Sequence, residues 1–213
     1  MIKLDRTFLM LATLMLPVSA NAVVMAFTDR SAFLAALPGT ANTLDFDSLT
    51  GGNSSTIGTI IDAGDTVGGI TFDYDFGGVQ MEVRNDFLTT SPSNYLGTTD
   101  AGVFQAGDIF TLDFSPVNAI GMSFITADQM FDGDITLSAG GGSASLVAAD
   151  VGADLGDGGF PFFLGLIDTE NAFGSASIDT LDCGGCFLYN VDDIVTSVVP
   201  VPGATEVTMS STL

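Results

Sequence analysis

Hydrophobic positions along this chain fall into short runs that alternate with polar residues and stop at glycine or proline. Ile70, Phe72 and Tyr74 share one face of a strand predicted over Gly69 to Tyr74, and Leu44, Phe46 and Ser48 share one face of another over Thr43 to Leu49. Phe110, Leu112 and Phe114, followed by Ile120, Met122 and Phe124, predict two strands joined as a hairpin across Ser115-Pro116-Val117-Asn118. Asp134 to Ser138 and Ser143 to Ala148 predict a second hairpin around three glycines, and Phe162 to Ile167, Ser175 to Thr180 and Phe187 to Ser197 supply the last strands. Glycine pairs at 51-52, 68-69, 77-78, 141-142, 158-159 and 184-185 punctuate the series. Short strands separated in this way predict an all-β, antiparallel β-sandwich. One short helix is expected near the amino end, where Thr28 or Asp29 caps a turn carrying Phe33, Leu34 and Leu37 before Pro38-Gly39 stops it, packed against the end of the sandwich.

The final strand breaks its own pattern. Phe187, Tyr189 and Val191 share a face, yet the next clear apolar residue is Ile194, so the alternation slips by one at Asp192-Asp193. A slip of one predicts a β-bulge that re-aims a carboxylate.

The amino end is not part of the sandwich. Lys3 and Arg6 precede an apolar run from Thr7 to Val18, and Ala20-Asn21-Ala22 supplies the small residues a signal peptidase reads. Residues 1-22 are therefore expected to be a cleaved signal peptide, because the run is well short of the ~20 residues that span a bilayer. That leaves one domain over 23-198 and a tail over 199-213, with no later membrane span and a secreted location. Without Lys3, Asp5 and Arg6, two arginines stand against 25 of the chain's 26 acidic residues. Such a surface repels nucleic-acid phosphates and anionic lipid and favours cations, and it also serves simply to keep an exported protein soluble. Cys183 and Cys186 enclose two glycines and are expected to pair as a structural disulfide in an oxidising compartment.

Composition removes most reaction chemistry. The chain has no histidine, and its one lysine, Lys3, lies in the leader, so Ser-His triads, Schiff bases and His-ligated metals are excluded. Two-carboxylate glycoside hydrolysis survives by count alone, with no marked pair, and the reading from the residues is a protein that is not an enzyme. A hard cation held by oxygen ligands fits the composition better, and calcium is the leading candidate cofactor. Two clusters stand out for it: Asp45 and Asp47, placed by the pleat on the face opposite Phe46, and Asp192-Asp193 in the final strand, which also reads as a solvated acid pair. Asp128, Asp132 and Asp134, then Asp150, Asp154 and Asp157, then Asp168 and Glu170, read as solvated loop acids that lack EF-hand spacing. With no tryptophan and three tyrosines, of which Tyr189 and Tyr74 read as core, an aromatic sugar platform is not evident.

Several segments resemble the PEP-CTERM class of exported bacterial proteins. They are Phe33-Leu34-Ala35-Ala36-Leu37 with Leu44-Asp45-Phe46-Asp47, Phe114-Ser115-Pro116-Val117-Asn118-Ala119-Ile120-Gly121, Phe163-Leu164-Gly165-Leu166, and Phe187-Leu188-Tyr189-Asn190-Val191-Asp192-Asp193-Ile194. Val199-Pro200-Val201-Pro202-Gly203-Ala204 looks like the opening of that class's sorting signal, but Thr205 to Leu213 continues it with neither an apolar helix nor an arginine cluster. The resemblance implies a jelly-roll-like ectodomain, a Gram-negative source, association with extracellular polysaccharide and no catalytic activity. Similarity to jelly-roll carbohydrate-binding modules implies a structural calcium at Asp47 and Asp193, with Asp45 and Asp192 as alternates. The function expected is a non-catalytic secreted matrix or adhesion protein; the alternative is a carbohydrate-binding module or a carboxylate-dependent glycan-active enzyme.

Overall fold

The computed structural model describes residues 24–74 and 76–200. The expected signal peptide and most of the tail, from residue 201 onward, lie outside the described residues. In chain order the elements are β1 (Met25–Phe27), α1 (Arg30–Ala36), β2 (Ala41–Leu44), β3 (Ile60–Ile61), β4 (Thr66–Val67), β5 (Ile70–Asp73), β6 (Met81–Arg84), β7 (Tyr95–Thr98) and β8 (Phe104–Gln105). They continue as β9 (Phe110–Val117), β10 (Ala119–Thr126), β11 (Ile135–Ala139), β12 (Gly142–Ser145), a short 3-10 turn at Ala148–Asp150, β13 (Phe160–Ile167), β14 (Phe173–Thr180) and β15 (Leu188–Ser197).

Two antiparallel sheets face each other across one main core, giving the β-sandwich expected from the alternation. One sheet has nine strands in the order β1-β13-β10-β15-β7-β6-β3, with β2 and β8 also on β15; the other has six, in the order β12-β11-β14-β9-β5-β4. Inward residues of both sheets, among them Phe72, Phe104, Phe110, Leu112, Phe124, Leu137, Leu164, Ile178 and Tyr189, are fully or almost fully buried. Tyr74 joins them, as its parity in β5 requires. Gly68-Gly69 between β4 and β5 and Gly140-Gly141 between β11 and β12 all have positive φ, the backbone that two-residue hairpins demand.

The hairpin expected across Ser115 to Asn118 is not formed. β9 pairs with β14 and β5 in the six-stranded sheet, whereas β10 pairs with β13 and β15 in the other. The chain crosses from one sheet to the other there because both strands are long and apolar on their inward faces, and periodicity alone does not say which sheet a strand joins. Asn118 makes the corner. Its Nδ2 donates to the Asp168 carbonyl at 3.0 Å, its Oδ1 accepts from Val199 N at 3.0 Å, and its main chain bonds to Ser197 and Asp168.

The strand expected over Thr43 to Leu49 ends at Leu44. Phe46 adopts a left-handed backbone, φ 60°, while its ring is fully buried against Phe72. Such a conformation costs about 1–3 kcal/mol, offset here by burial of the ring. Asp45 and Asp47 therefore flank a turn and do not share a strand face, and Asp47 N donates to Asp45 Oδ1 at 3.1 Å.

Asp29 is the cap of α1, accepting from Ala32 N at 2.6 Å. The helix does not sit on the end of the sandwich but on the outer face of the nine-stranded sheet. Gly121 and Gly165 are cross-strand partners there, and a Cβ on either would press into the rings of Phe33 and Phe163. The two glycines thus make the recess that receives Phe33, which forms a second core with Ala119, Phe163, Ile167 and Val195.

Replacing Asn118 by Ala should lower unfolding stability by about 2 kcal/mol, because a carbonyl and an amide lose their partners at a buried corner; urea denaturation measures it. Asp108 yields a pH prediction. Burial raises its carboxyl pKa, against the pull of the Gln105 N–H that it accepts. A raised folded pKa means that the folded state holds the proton more tightly, so this contribution is present at low pH and is lost as pH rises through the folded pKa. The variant Asp108→Asn should therefore be more stable than the wild type at pH 7, with the difference shrinking toward pH 4 in paired urea titrations.

Candidate functional site

The slip at Asp192-Asp193 is a β-bulge. Met122 lies opposite Ile194 and Phe124 opposite Val191, so Ser123 of β10 faces both aspartates. The bulge lies on the outer face of the nine-stranded sheet, between α1 and the 85–94 loop, and the two carboxylates diverge from it to different partners.

Asp192 is fully buried and committed to the 85–94 loop. Its Oδ2 accepts from Thr90 N at 2.7 Å, from the Thr90 hydroxyl and from Ser91 N at 3.0 Å, and its Oδ1 accepts from the Ser91 hydroxyl at 2.9 Å. Burial raises its pKa, while the Thr90 hydroxyl bond pulls the other way.

Asp193 turns to the helix. Its Oδ2 pairs with Arg30 Nη2 at 2.9 Å, a contact made from the first residue of α1. Its Oδ1 is buried without a hydrogen-bond partner, and so is Arg30 Nε. Burial raises the Asp193 pKa, Arg30 and then the nearby Ser91 hydroxyl lower it, and the charges of Asp45 and Asp47 raise it again. Those two acids are thus within electrostatic reach. Asp47 Oδ1 in turn accepts from Asn94 N at 3.0 Å, while Asn94 Nδ2 donates to the carbonyls of Phe46 and Leu49. Ser93, at φ 97°, closes the same junction. Beside it opens a cleft of about 220 Å³ lined by Thr28, Arg30, Thr90, Ser123 and Asp150.

Of the four candidate ligands, Asp193 feels the charges of Asp45 and Asp47, while the oxygens of Asp192 are taken up by Thr90 and Ser91. Among the described residues no group of three or more acidic or cysteine side chains is arranged as a ready cage for a metal ion. The loop acids are not simply solvated. Asp134 and Asp168 are buried and accept main-chain N–H groups of their own turns, and Asp154 and Asp157 do the same from exposed positions. Cys183 and Cys186 are joined as a disulfide with their Cα atoms 5.6 Å apart.

A second charged constellation escaped the reading of the sequence. Glu82, Arg84 and Asp86 follow at every second residue along and just beyond β6, and Arg84 bridges the two acids at 2.9 and 2.5 Å. Glu82 is almost fully buried and also accepts from Gly58 N at 2.6 Å. Strict alternation of acid, base and acid was the available signal.

No family model matches the chain, and no curated protein does. Among solved structures it is similar to the catalytic domain of a GH87 α-1,3-glucanase in complex with tetrasaccharides. The likeness covers 65% of this chain and 30% of that one, at 16% identity and a TM-score of 0.32. Resemblance at that level leaves the fold to rest on the strand pairing described above.

Truncating Asp192 to Ala should cost about 3 kcal/mol, since Thr90 and Ser91 would lose their acceptors in a buried setting. Amide exchange over residues 89–93 should quicken while β10 and β13 stay protected, which native-state hydrogen exchange resolves.

Proposed function

We propose that the chain is a non-catalytic, exported protein of an extracellular matrix or adhesive surface, with a sandwich steadied by calcium at the bulge. The observation that carries the cation reading is the buried, unpartnered Oδ1 of Asp193 beside the charges of Asp45 and Asp47. A buried carboxylate oxygen with no donor is costly, and an oxygen-seeking cation satisfies it. Asp193, Asp45 and Asp47 would hold the ion. Asp192 would not, because its oxygens are already occupied by Thr90 and Ser91. Calcium would then join the turn after β2 to the middle of β15, supplementing the single charge of Arg30.

Export is supported by the leader-like residues 1-22 and by the Cys183–Cys186 bond, which persists in oxidising compartments. A non-catalytic role is supported by how the buried aspartates are engaged. Asp108, Asp192 and Asp193 each accept from the protein's own donors. Extracellular polysaccharide is the partner that this reading favours.

Millimolar calcium should raise the melting temperature of the full chain by about 5 °C over a chelated sample, the shift expected for an ion well above its dissociation constant. Asp193→Ala should abolish that shift. An unchanged melting temperature in the wild type would show that Arg30 alone balances the site. Incubation with a panel of glycans should retain them without shortening them, whereas progressive shortening would identify an enzyme.

A further inference from the structure

Cys183 and Cys186 close a loop of four residues between β14 and β15, and every residue from Leu181 to Cys186 is exposed. Both stems of that loop are held without the sulfur bond. On the β14 side Gly107 N donates to the Thr180 hydroxyl and that hydroxyl donates to the Asp108 carbonyl, both at 2.8 Å, while Leu181 N donates to the Asp134 carbonyl at 2.9 Å. On the β15 side Phe187 is buried in the main core, its carbonyl accepts from Ala106 N at 3.0 Å, and Leu188 N donates to Asp128 Oδ2 at 2.8 Å. A cross-link over so short a loop removes little chain entropy, and here it joins ends that the fold already brings together.

The bond is also open to attack. A thiolate must reach a disulfide sulfur directly, so side chains packed over the bond would protect it. Gly184 and Gly185 separate the cysteines with φ of 74° and 83°. A Cβ at Gly184 would meet no atom within 4 Å, and one at Gly185 would meet only Gln105 Oε1 at 3.7 Å. The loop carries no cover of its own, and exposed disulfides are the readily exchanged ones.

Its surroundings suit a polypeptide. Leu181 and Leu188 flank the loop, Ile109 follows Asp108 at the β14 stem, and Phe131 opens the turn whose Asp134 carbonyl holds Leu181. All four are exposed, by 37–63%. Apolar side chains grouped around an exchangeable bond fit an unfolded chain, whose own apolar residues are still available for contact. A small thiol gains nothing from them.

We propose that Cys183–Cys186 passes its disulfide to a pair of thiols in an unfolded, exported polypeptide docked on this apolar rim. A partner thiolate bonds to one cysteine sulfur, the Cys183–Cys186 bond breaks, and its electron pair leaves on the other sulfur, which takes up a proton. The partner's second thiolate then attacks the partner's own sulfur in the mixed disulfide and releases the remaining cysteine as a thiol. The partner's dithiol is thereby oxidised to a disulfide, and this chain gains two electrons and two protons. The transfer is stoichiometric, one disulfide per oxidised chain, and needs neither calcium nor polysaccharide.

The oxidised full chain, mixed with reduced, unfolded ribonuclease A, should lose its disulfide at least tenfold faster than it does to an equal thiol concentration of glutathione. Alkylation of Cys183 and Cys186, read by mass spectrometry, follows the loss. Phe131→Ser and Leu181→Ser, both at exposed positions, should each slow transfer to ribonuclease A at least fivefold and leave the rate with glutathione unchanged, a split that a merely exposed disulfide would not show. The reduced chain should melt within about 5 °C of the oxidised one, as a short cross-link requires. Equal rates with the two thiols, or rim variants that slow neither, would overturn the docking of an unfolded chain and with it the proposal. A bond that resists both thiols, or a reduced chain that loses amide protection in β14 and β15, would overturn it in favour of a structural disulfide.

Discussion

The pairing of β10 with β15, and the one-residue bulge within it, sets the geometry on which the rest of the nine-stranded sheet depends. β15 is ten residues long and carries β8, β7 and β2 in succession along one edge while β10 runs along the other. In an unbroken strand the face holding Tyr189 and Val191 would next hold Asp193 and Val195. The bulge resets the parity, so Ile194 enters the main core and Val195 joins Phe33 on the outer face. Two aspartates at the reset keep the extra residue from being buried as hydrophobic surface. Each then finds a different tether, Asp192 the 85–94 loop and Asp193 the first residue of α1. One irregularity in the ladder thereby fixes a loop, a helix and the turn after β2.

The acidity of the chain is largely structural in the same sense. Asp29, Asp65, Asp132, Asp134, Asp154 and Asp168 each accept a main-chain N–H in a turn or at a helix start. A glycine-rich loop exposes many such donors, and a short carboxylate satisfies them with a charge-assisted bond. The charge is the consequence. Both arginines within the described residues are paired with acids, Arg30 with buried Asp193 at the bulge and Arg84 with buried Glu82 and exposed Asp86. Asp108, Asp192 and Asp193 are the acids whose pKa values burial raises, Asp192 in spite of four donors. Of these, Asp193 alone keeps a buried oxygen without a hydrogen-bond partner.

Period-two alternation made the sandwich, the glycine hairpin of β11 and β12, and the slip in β15 legible from sequence, because each is a local statement about which face a residue occupies. The partition of β9 and β10 between sheets was not legible, since two apolar-faced strands look alike whether they pair with each other or pack face to face. Phe46 was misread for a related reason. Its core position fits a strand parity, yet the backbone reaches it through a left-handed turn that only the burial of its ring makes tolerable. The Asp45, Asp47 and Asp193 grouping could be guessed, but the absence of a donor for Asp193 Oδ1 and for Asn190 Oδ1 depends on three-dimensional neighbours that no spacing encodes.

The outer face of the nine-stranded sheet is divided by these constraints into three zones that share one loop. At one end Gly121 and Gly165 admit Phe33 and close the surface with α1; in the middle the bulge holds Thr90 and Ser91 through Asp192. Beyond it Phe87, a few residues earlier in that loop, borders a pocket lined also by Asn190, and Leu88 is anchored by Asp157. The loop is therefore fixed just after Phe87, at Leu88 and again at Thr90 and Ser91, while the Phe87 ring itself stacks on Tyr95. The irregular strand that organises the fold thus also ties down the loop that carries Phe87.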